Sequence, residues 1–149
     1  MAAHRPTVAI EKVFKHNLSA EISFVQGEFN NVLLTDHYDY SGYLVRVKKH
    51  FGNLELGNAT LYGSIYGGTL KRTIQTKAGF LYPSRDFLAN SVRGGYSFGF
   101  SYFSKSKINI DGMTGLGYGK YTKVYRSNSN QRAGGYLDMQ VWLSVGYCL

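Results

Sequence analysis

The feature that most constrains this chain is an alternation of apolar and polar side chains with a period of two residues. The alternation is cleanest at the end of the chain, where every second residue from Met139 to Leu149 is apolar or aromatic. Six earlier segments repeat it, beginning near Thr7, Leu18, Tyr43, Ala59, Tyr96 and Ile108. This pattern is typical of β-strands with two unlike faces, and no segment with a helical period interrupts it. The sequence therefore predicts an all-β chain of seven visible strands in an antiparallel up-and-down arrangement.

Length and composition narrow the architecture further. A chain of 149 residues is expected to form one domain. No apolar run approaches the roughly 20 residues that a membrane-spanning helix needs, and the single cysteine, Cys148, excludes an internal disulfide. The predicted strands are longer than the usual strands of about 5 or 6 residues, and closure into a barrel would remove their exposed edges. We therefore expect a β-barrel.

The composition of the two faces indicates which one meets solvent. The polar faces are rich in Gly and Ser, as at Ser97, Gly99 and Ser101, and such small residues suit the crowded interior of a narrow barrel. Aromatic residues cluster near the strand ends, as the interfacial girdles of membrane barrels do. This distribution favours a transmembrane barrel in a bacterial outer membrane, with apolar residues facing lipid. The alternative is a soluble barrel whose Tyr and Phe face turns inward around an apolar ligand.

The spacing of the strands predicts both loops and strand number. Short breaks alternate with long polar segments at 27–37, 71–90 and 123–131, as short periplasmic turns alternate with long outer loops in membrane barrels. A closed antiparallel barrel with both termini in the periplasm needs an even number of strands. We therefore expect residues 1–149 to be a single eight-stranded barrel domain that lacks its first strand, unless part of 71–90 supplies it.

The segment Ser91 to Lys123 carries a likeness to a known family. It contains a Gly- and Tyr-rich strand, a Ser-Lys turn, and a strand that ends Gly-Leu-Gly-Tyr-Gly at Gly115 to Gly119. In this order the motifs resemble the paired-strand signature of the Bacteroidota outer-membrane proteins grouped as DUF3575. Similar features lie at Val8 to Phe14 and at Leu61 to Gly68. The resemblance implies fold and location more than activity. The family's early Asn-Leu-Leu strand is absent, and the last residue is Leu149, where outer-membrane barrels usually end in an aromatic residue.

The polar faces contain charged residues that would lie in the lumen. Since eight strands leave room only for side chains, these charges must be paired, with Glu21 and Arg46 as one pair on adjacent strands. The alternative is a narrow ion path gated by the same pairs. The last strand supplies a candidate signal for barrel assembly. The predicted lumen ion-pair network comprises Glu11, Glu21, Arg46, Lys48, Arg93, Asp111 and Asp138, and the assembly signal comprises Val141, Leu143, Val145, Tyr147 and Leu149.

Catalytic, metal and cofactor motifs are not evident. The four histidines have no spacing that resembles a metal site, and the glycine-rich segments lack the helix and Lys-Ser/Thr end of a phosphate loop. The one cluster that could serve a small lipid-modifying enzyme combines His37 with Ser84, Arg85 and Asp86, and we expect a non-enzymatic protein without cofactors. At Gly112 we expect a β-bulge.

The net charge of +8 first suggests a nucleic-acid ligand. The basic residues are scattered, however, and no RNA-binding signature is present, so we expect no nucleic acid. Without the seven lumen charges, a net charge of +9 remains on turns, loops and strand ends. Basic residues at those levels would face anionic headgroups. We therefore expect a structural or accessory subunit that binds outer-membrane lipid, lipopolysaccharide or a larger outer-membrane protein complex through its outer loops.

Overall fold

A computed structural model describes residues 8–32, 35–53, 55–76, 85–106, 108–127 and 134–147. They form seven strands in one sheet, and no helix occurs among them. Each strand pairs antiparallel with its sequence neighbours in the order β1-β2-β3-β4-β5-β6-β7, as the alternation predicted. The strands are β1 (Val8–Phe14), β2 (Leu18–Val32), β3 (Thr35–His50), β4 (Ala59–Thr76), β5 (Arg85–Phe103), β6 (Ile108–Ser127) and β7 (Gly135–Tyr147).

The sheet is curled but not closed in the part of the chain that the structure describes. β1 pairs only with β2, and β7 pairs only with β6. Side chains of non-neighbouring strands nevertheless meet on the concave face, as Lys48 of β3 meets Asp111 of β6 at 3.2 Å. Because all neighbours are antiparallel, β1 and β7 run in the same direction.

We call the end of the sheet that carries the β2–β3, β4–β5 and β6–β7 connections the outer end. The strands differ from the prediction at this end. Most of the residues expected in long loops at 27–37, 71–90 and 123–131 belong instead to strands, since β2 and β3 leave only two residues between them and β4 extends to Thr76. The described part of 71–90 lengthens β4 and β5 and supplies no eighth strand. The prediction was wrong because backbone hydrogen bonds continue the hairpins after the apolar alternation has ended. Extended strands therefore occupy the described part of the predicted long loops, and residues 33–34, 77–84 and 128–131 lie outside the described residues.

The opposite end of the sheet has tight turns. The turn from β1 to β2 places His16 and Asn17 at φ values of 66° and 57°, and two consecutive residues in this left-handed conformation match the right-handed twist of the strands they join. Lys49 Nζ donates a hydrogen bond to the His16 carbonyl oxygen. This turn brings the polar residues at the start of β2 beside the end of β3.

The predicted bulge at Gly112 is wrong. The register between β5 and β6 is continuous there, with Gly112 opposite Phe100. A Cβ at Gly112 would lie 2.5 Å from the Phe100 ring. Gly112 therefore lies on the convex face, where the Phe100 ring covers it. The register shifts lie instead near the outer end, where Thr122 and Tyr125 of β6 have no partner in the β5 ladder.

Candidate functional site

The two faces of the sheet have opposite polarity. Most of the polar and charged side chains on the concave face are buried, while large apolar side chains on the convex face are exposed. Tyr96 is 75% exposed and Val141 is 88% exposed, whereas Lys48 is completely buried. The buried polar and charged residues are Ser19, Glu21, Ser23, Arg46, Lys48, His50, Thr60, Ser64, Ser91, Ser97, Ser101, Asp111 and Asp138. The candidate site is therefore the polar lumen on the concave face.

Lys48 lies at the centre of one group of lumen charges. Its Nζ atom is 2.8 Å from Glu21 Oε2, 3.0 Å from Glu11 Oε2 and 3.2 Å from Asp111 Oδ2. The sheet register explains the arrangement, because Glu11 lies opposite Glu21, which in turn lies opposite Arg46. Lys48 follows Arg46 by two residues and so shares its face of β3. One ammonium group thus joins carboxylates from β1, β2 and β6.

Arg46 is the second cation of this group. Its Nη2 atom is 3.4 Å from Glu21 Oε1, so the predicted pair of Glu21 and Arg46 is in register and in ion-pair contact. The guanidinium lies over the Trp142 ring of β7 at 5.8 Å from the ring centroid. Only 1% of Arg46 is exposed, and none of its guanidinium nitrogens has a hydrogen-bond partner among the described residues. The ion pair and the ring are therefore the main contacts that compensate its burial.

Several neutral side chains complete the group around Lys48. Asp111 accepts hydrogen bonds from Tyr62 Oη at 2.8 Å and from Ser101 Oγ at 2.6 Å. Ser19 Oγ donates to Glu11 and lies 3.0 Å from His50 Nε2. The sequence interpretation did not include His50, although His50 has the same parity along β3 as Arg46 and Lys48. Parity was the signal that could have placed it in the lumen.

The other two predicted lumen residues form a separate group nearer the outer end. Asp138 of β7 accepts hydrogen bonds from Tyr66 Oη at 2.8 Å, from Gln140 Nε2 at 2.8 Å and from Arg93 Nη1 at 3.3 Å. The Tyr66 side chain reaches across the lumen from β4 to β7. The structure thus divides the seven predicted charges into a Lys48 group of five residues and an Asp138 group of two.

Glycines in β5 and β6 make room for the tyrosines that cross the lumen. A Cβ at Gly99 would lie 2.7 Å from Tyr62 Cζ, and a Cβ at Gly95 would lie 2.8 Å from Tyr66 Oη. Gly117 would meet the same Tyr66 hydroxyl. These glycines therefore have a packing role, because larger residues would press both on the two rings that hold Asp111 and Asp138 and on the backbone of the neighbouring strand.

An apolar layer and a cavity lie between the charge groups and the outer end. Val25, Leu44, Tyr66 and Leu70 form the buried apolar cluster, against which Tyr40 and Trp142 pack. A cavity of about 380 Å³ adjoins this cluster and opens along the unpaired edge of β7. Above it, the Arg72 guanidinium lies 4.1 Å from the Tyr136 ring centroid. The lumen is therefore filled in layers of charge, apolar side chains and aromatic rings.

The remaining predicted residues lie on the convex face or outside the described residues. Val141, Leu143 and Val145 of the candidate assembly signal are exposed along β7. Leu149 and the Tyr147 side chain fall outside the described residues. The assembly role therefore stays a prediction for the three residues that are described.

The candidate lipid-enzyme cluster is described only in part, through His37 and Asp86. Gln75 of β4 lies between them, opposite His37 of β3 on one side and opposite Asp86 of β5 on the other. Two strand spacings of about 4.8 Å therefore separate their backbones. His37 Nδ1 lies 3.7 Å from Glu28 Oε1, while Ser84 and the Arg85 side chain fall outside the described residues.

No group of three or more His, Cys, Asp or Glu in the described segments could hold a metal ion. No helix in those segments is long and apolar enough to cross a membrane. Comparisons with protein-family models, curated proteins and solved structures found no match for this chain.

Proposed function

We propose that this protein is a small outer-membrane β-barrel that acts as a structural or accessory subunit. The observation that carries the proposal is the inverted polarity of the curled sheet, which has paired charges inside and large apolar side chains outside. In outer-membrane barrels the apolar residues face lipid and the interior is polar, whereas soluble barrels have the reverse arrangement.

The exposed apolar surface is too continuous for a protein surrounded by water. Soluble monomers rarely expose contiguous apolar patches larger than a few hundred Å². Here rows of exposed apolar residues run along both β5 and β7. Lipid would cover this surface, and the strand ladders already satisfy most of the backbone groups that lipid cannot hydrate.

Strand length agrees with a membrane location. β4, β5 and β6 contain 18, 19 and 20 residues, which corresponds to about 60 Å along each strand. A strand tilted by about 45° would still rise by roughly 40 Å, which exceeds the apolar band of about 25 Å. The outer hairpins would therefore project beyond the membrane and offer a surface to envelope partners or lipopolysaccharide.

The proposal includes an eighth strand between β1 and β7. These two edge strands run in the same direction, so joining them directly would give a parallel pair. One additional strand of opposite direction would pair antiparallel with both edges, as bacterial barrels with an even number of strands do. It would also cover the cavity that opens along β7.

The Lys48 group and the Asp138 group support a structural role over that of a pore. Within each group the side chains cross the lumen and are joined by ion pairs and hydrogen bonds. The likeness of Ser91 to Lys123 to the DUF3575 proteins of Bacteroidota is part of the same proposal. It suggests the class of outer-membrane protein and names no reaction or partner.

The soluble barrel with an apolar ligand is the competing function. It requires the Tyr and Phe face to turn inward, but Tyr96, Phe98 and Phe100 lie on the exposed convex face. A refolding experiment separates the two functions. We expect the protein to remain monodisperse in detergent micelles or lipid vesicles and to aggregate in plain buffer. A monodisperse, folded protein in plain buffer would contradict the membrane proposal.

A further inference from the structure

Three lysines lie together on the convex face at the outer end of β4, β5 and β6. Lys71 lies opposite Asn90, which in turn lies opposite Lys123. The adjacent row places Lys120 opposite Val92. All three lysines are exposed. We call Lys71, Lys120 and Lys123 the outer lysine patch.

A β-bulge creates this arrangement. Tyr121 lies opposite Ser91 and Lys123 lies opposite Asn90, so Thr122 is an extra residue in β6. Without the bulge, Lys123 would share the inward orientation of Tyr121, because residues two apart in a strand face the same side. The extra residue turns Lys123 to the side of Lys120 and Lys71. Bulges commonly re-aim a side chain in this way.

No described carboxylate forms an ion pair with the outer lysine patch. None of the three ammonium groups makes an ion pair among the described residues. The carboxylates on this face lie farther out, since Asp39 lies opposite Thr73 and Asp86 lies opposite Gln75. The patch is therefore complementary to an anion.

The side chains of Tyr125 and Asn90 help to hold Lys123 in place within the patch. Lys123 Nζ lies 4.9 Å from the Tyr125 ring centroid, and Asn90 Nδ2 donates a hydrogen bond of 3.1 Å to Tyr125 Oη. The backbones of Lys71 and Lys123 are two strand spacings apart, or about 10 Å, and Lys120 is about 10 Å from Lys123 along the strand. This spacing suits a headgroup with more than one phosphate.

The position of the outer lysine patch relative to the exposed apolar surface indicates the source of the anion. Exposed apolar and aromatic residues, including Val92, Tyr96, Leu116 and Tyr118, adjoin it on the membrane side. Basic residues at the edge of an apolar belt meet lipid phosphates. We propose that the outer lysine patch binds the phosphate groups of a phosphorylated lipid headgroup at the outer surface of the membrane. This inference rests on the proposed membrane function.

Native mass spectrometry of the refolded protein in detergent tests the inference. The probe is diphosphorylated lipid A, with its dephosphorylated form as the reference ligand. A variant with Lys71→Gln, Lys120→Gln and Lys123→Gln should bind the diphosphorylated lipid on the order of 100-fold more weakly, since each lysine near a lipid surface contributes about fivefold. The wild-type preference for the phosphorylated form should disappear.

A matched control removes the same charge at the other end of the sheet. Lys12, Lys15 and Lys105 are exposed there, and their replacement by Gln should change lipid A binding less than twofold. Equal loss in both variants, equal retention in both, or equal wild-type binding of the dephosphorylated lipid would overturn the inference. Folding in detergent is measured separately in each sample. A wild-type protein that folds only in detergent but lacks phosphate preference refutes the lipid site and leaves the membrane proposal standing.

Discussion

Replacing Lys48 by Met should destabilise the protein by about 3–5 kcal/mol. The Lys48 ammonium group is completely buried and lies within 3.2 Å of Glu11, Glu21 and Asp111. Without this ammonium group, the three carboxylates stay in the lumen, and Arg46 is the remaining cation of the Lys48 group. Breaking a buried ion pair by removing one partner typically costs about 3–5 kcal/mol, because the other charge stays buried without compensation.

Urea titration of the refolded protein in detergent measures this loss. Trp142 is the only tryptophan of the chain, and it lies against Arg46 in the same lumen, so its fluorescence reports on the site. With a denaturant slope of about 2 kcal/mol/M, a loss of 4 kcal/mol lowers the midpoint by about 2 M.

The neighbouring lysine provides a matched control for this measurement. Lys49 is exposed on the opposite face of β3, where it donates a hydrogen bond to the His16 carbonyl oxygen, and its replacement by Met should lower stability by about 1 kcal/mol or less. Adding Glu11→Gln to Lys48→Met should restore part of the lost stability, because it removes one uncompensated charge and leaves the pair of Glu21 and Arg46 intact. Equal midpoints for the two lysine variants would refute the reasoning that the Lys48 group stabilises the lumen.

Two further predictions concern packing and the convex surface that the membrane proposal assigns to lipid. Gly99→Val should destabilise the protein by about 1–3 kcal/mol in the same titration, because its Cβ would press on the Tyr62 ring, whereas Gly67→Ala, whose Cβ meets only a backbone oxygen at 3.9 Å, should be tolerated. Val141→Lys, in the middle of β7, should cost about 2–4 kcal/mol in lipid vesicles, and Leu137→Lys, nearer the outer end, about 0–1 kcal/mol. Equal costs at the two glycines, or at the two β7 positions, would contradict the assignments.

The sequence was sufficient to predict which side chains share a face. Alternation depends only on the backbone pleat, so it correctly placed Glu21, Arg46 and Lys48 on one side of the sheet. It could not predict contacts across the lumen. Tyr66 and Asp138 are 72 residues apart and meet only because the sheet curls, and the curl depends on packing along all the strands.

The ends of the strands were less predictable for a different reason. Alternation ends where the two faces stop having different surroundings, but backbone pairing continues beyond that point, as it does from Lys71 to Thr76 in β4. The bulge at Thr122 was also invisible, because Lys120, Thr122 and Lys123 are all exposed and polar and leave no apolar residue that would mark the change of face. The prediction at Gly112 was wrong for the opposite reason. The glycine interrupts the alternation of side chains, but the backbone ladder is continuous there.

The strict neighbour-by-neighbour order of the strands has a consequence for how the chain folds. Each new strand pairs with the one just made, so every hairpin closes a short loop at low entropic cost. The contacts of Lys48 with Asp111 and of Tyr66 with Asp138 instead join residues 63 and 72 positions apart. They form only when the curled wall brings distant strands together. The lumen charges would thus contribute late in folding, and they would act mainly by slowing the unfolding of the completed curled sheet.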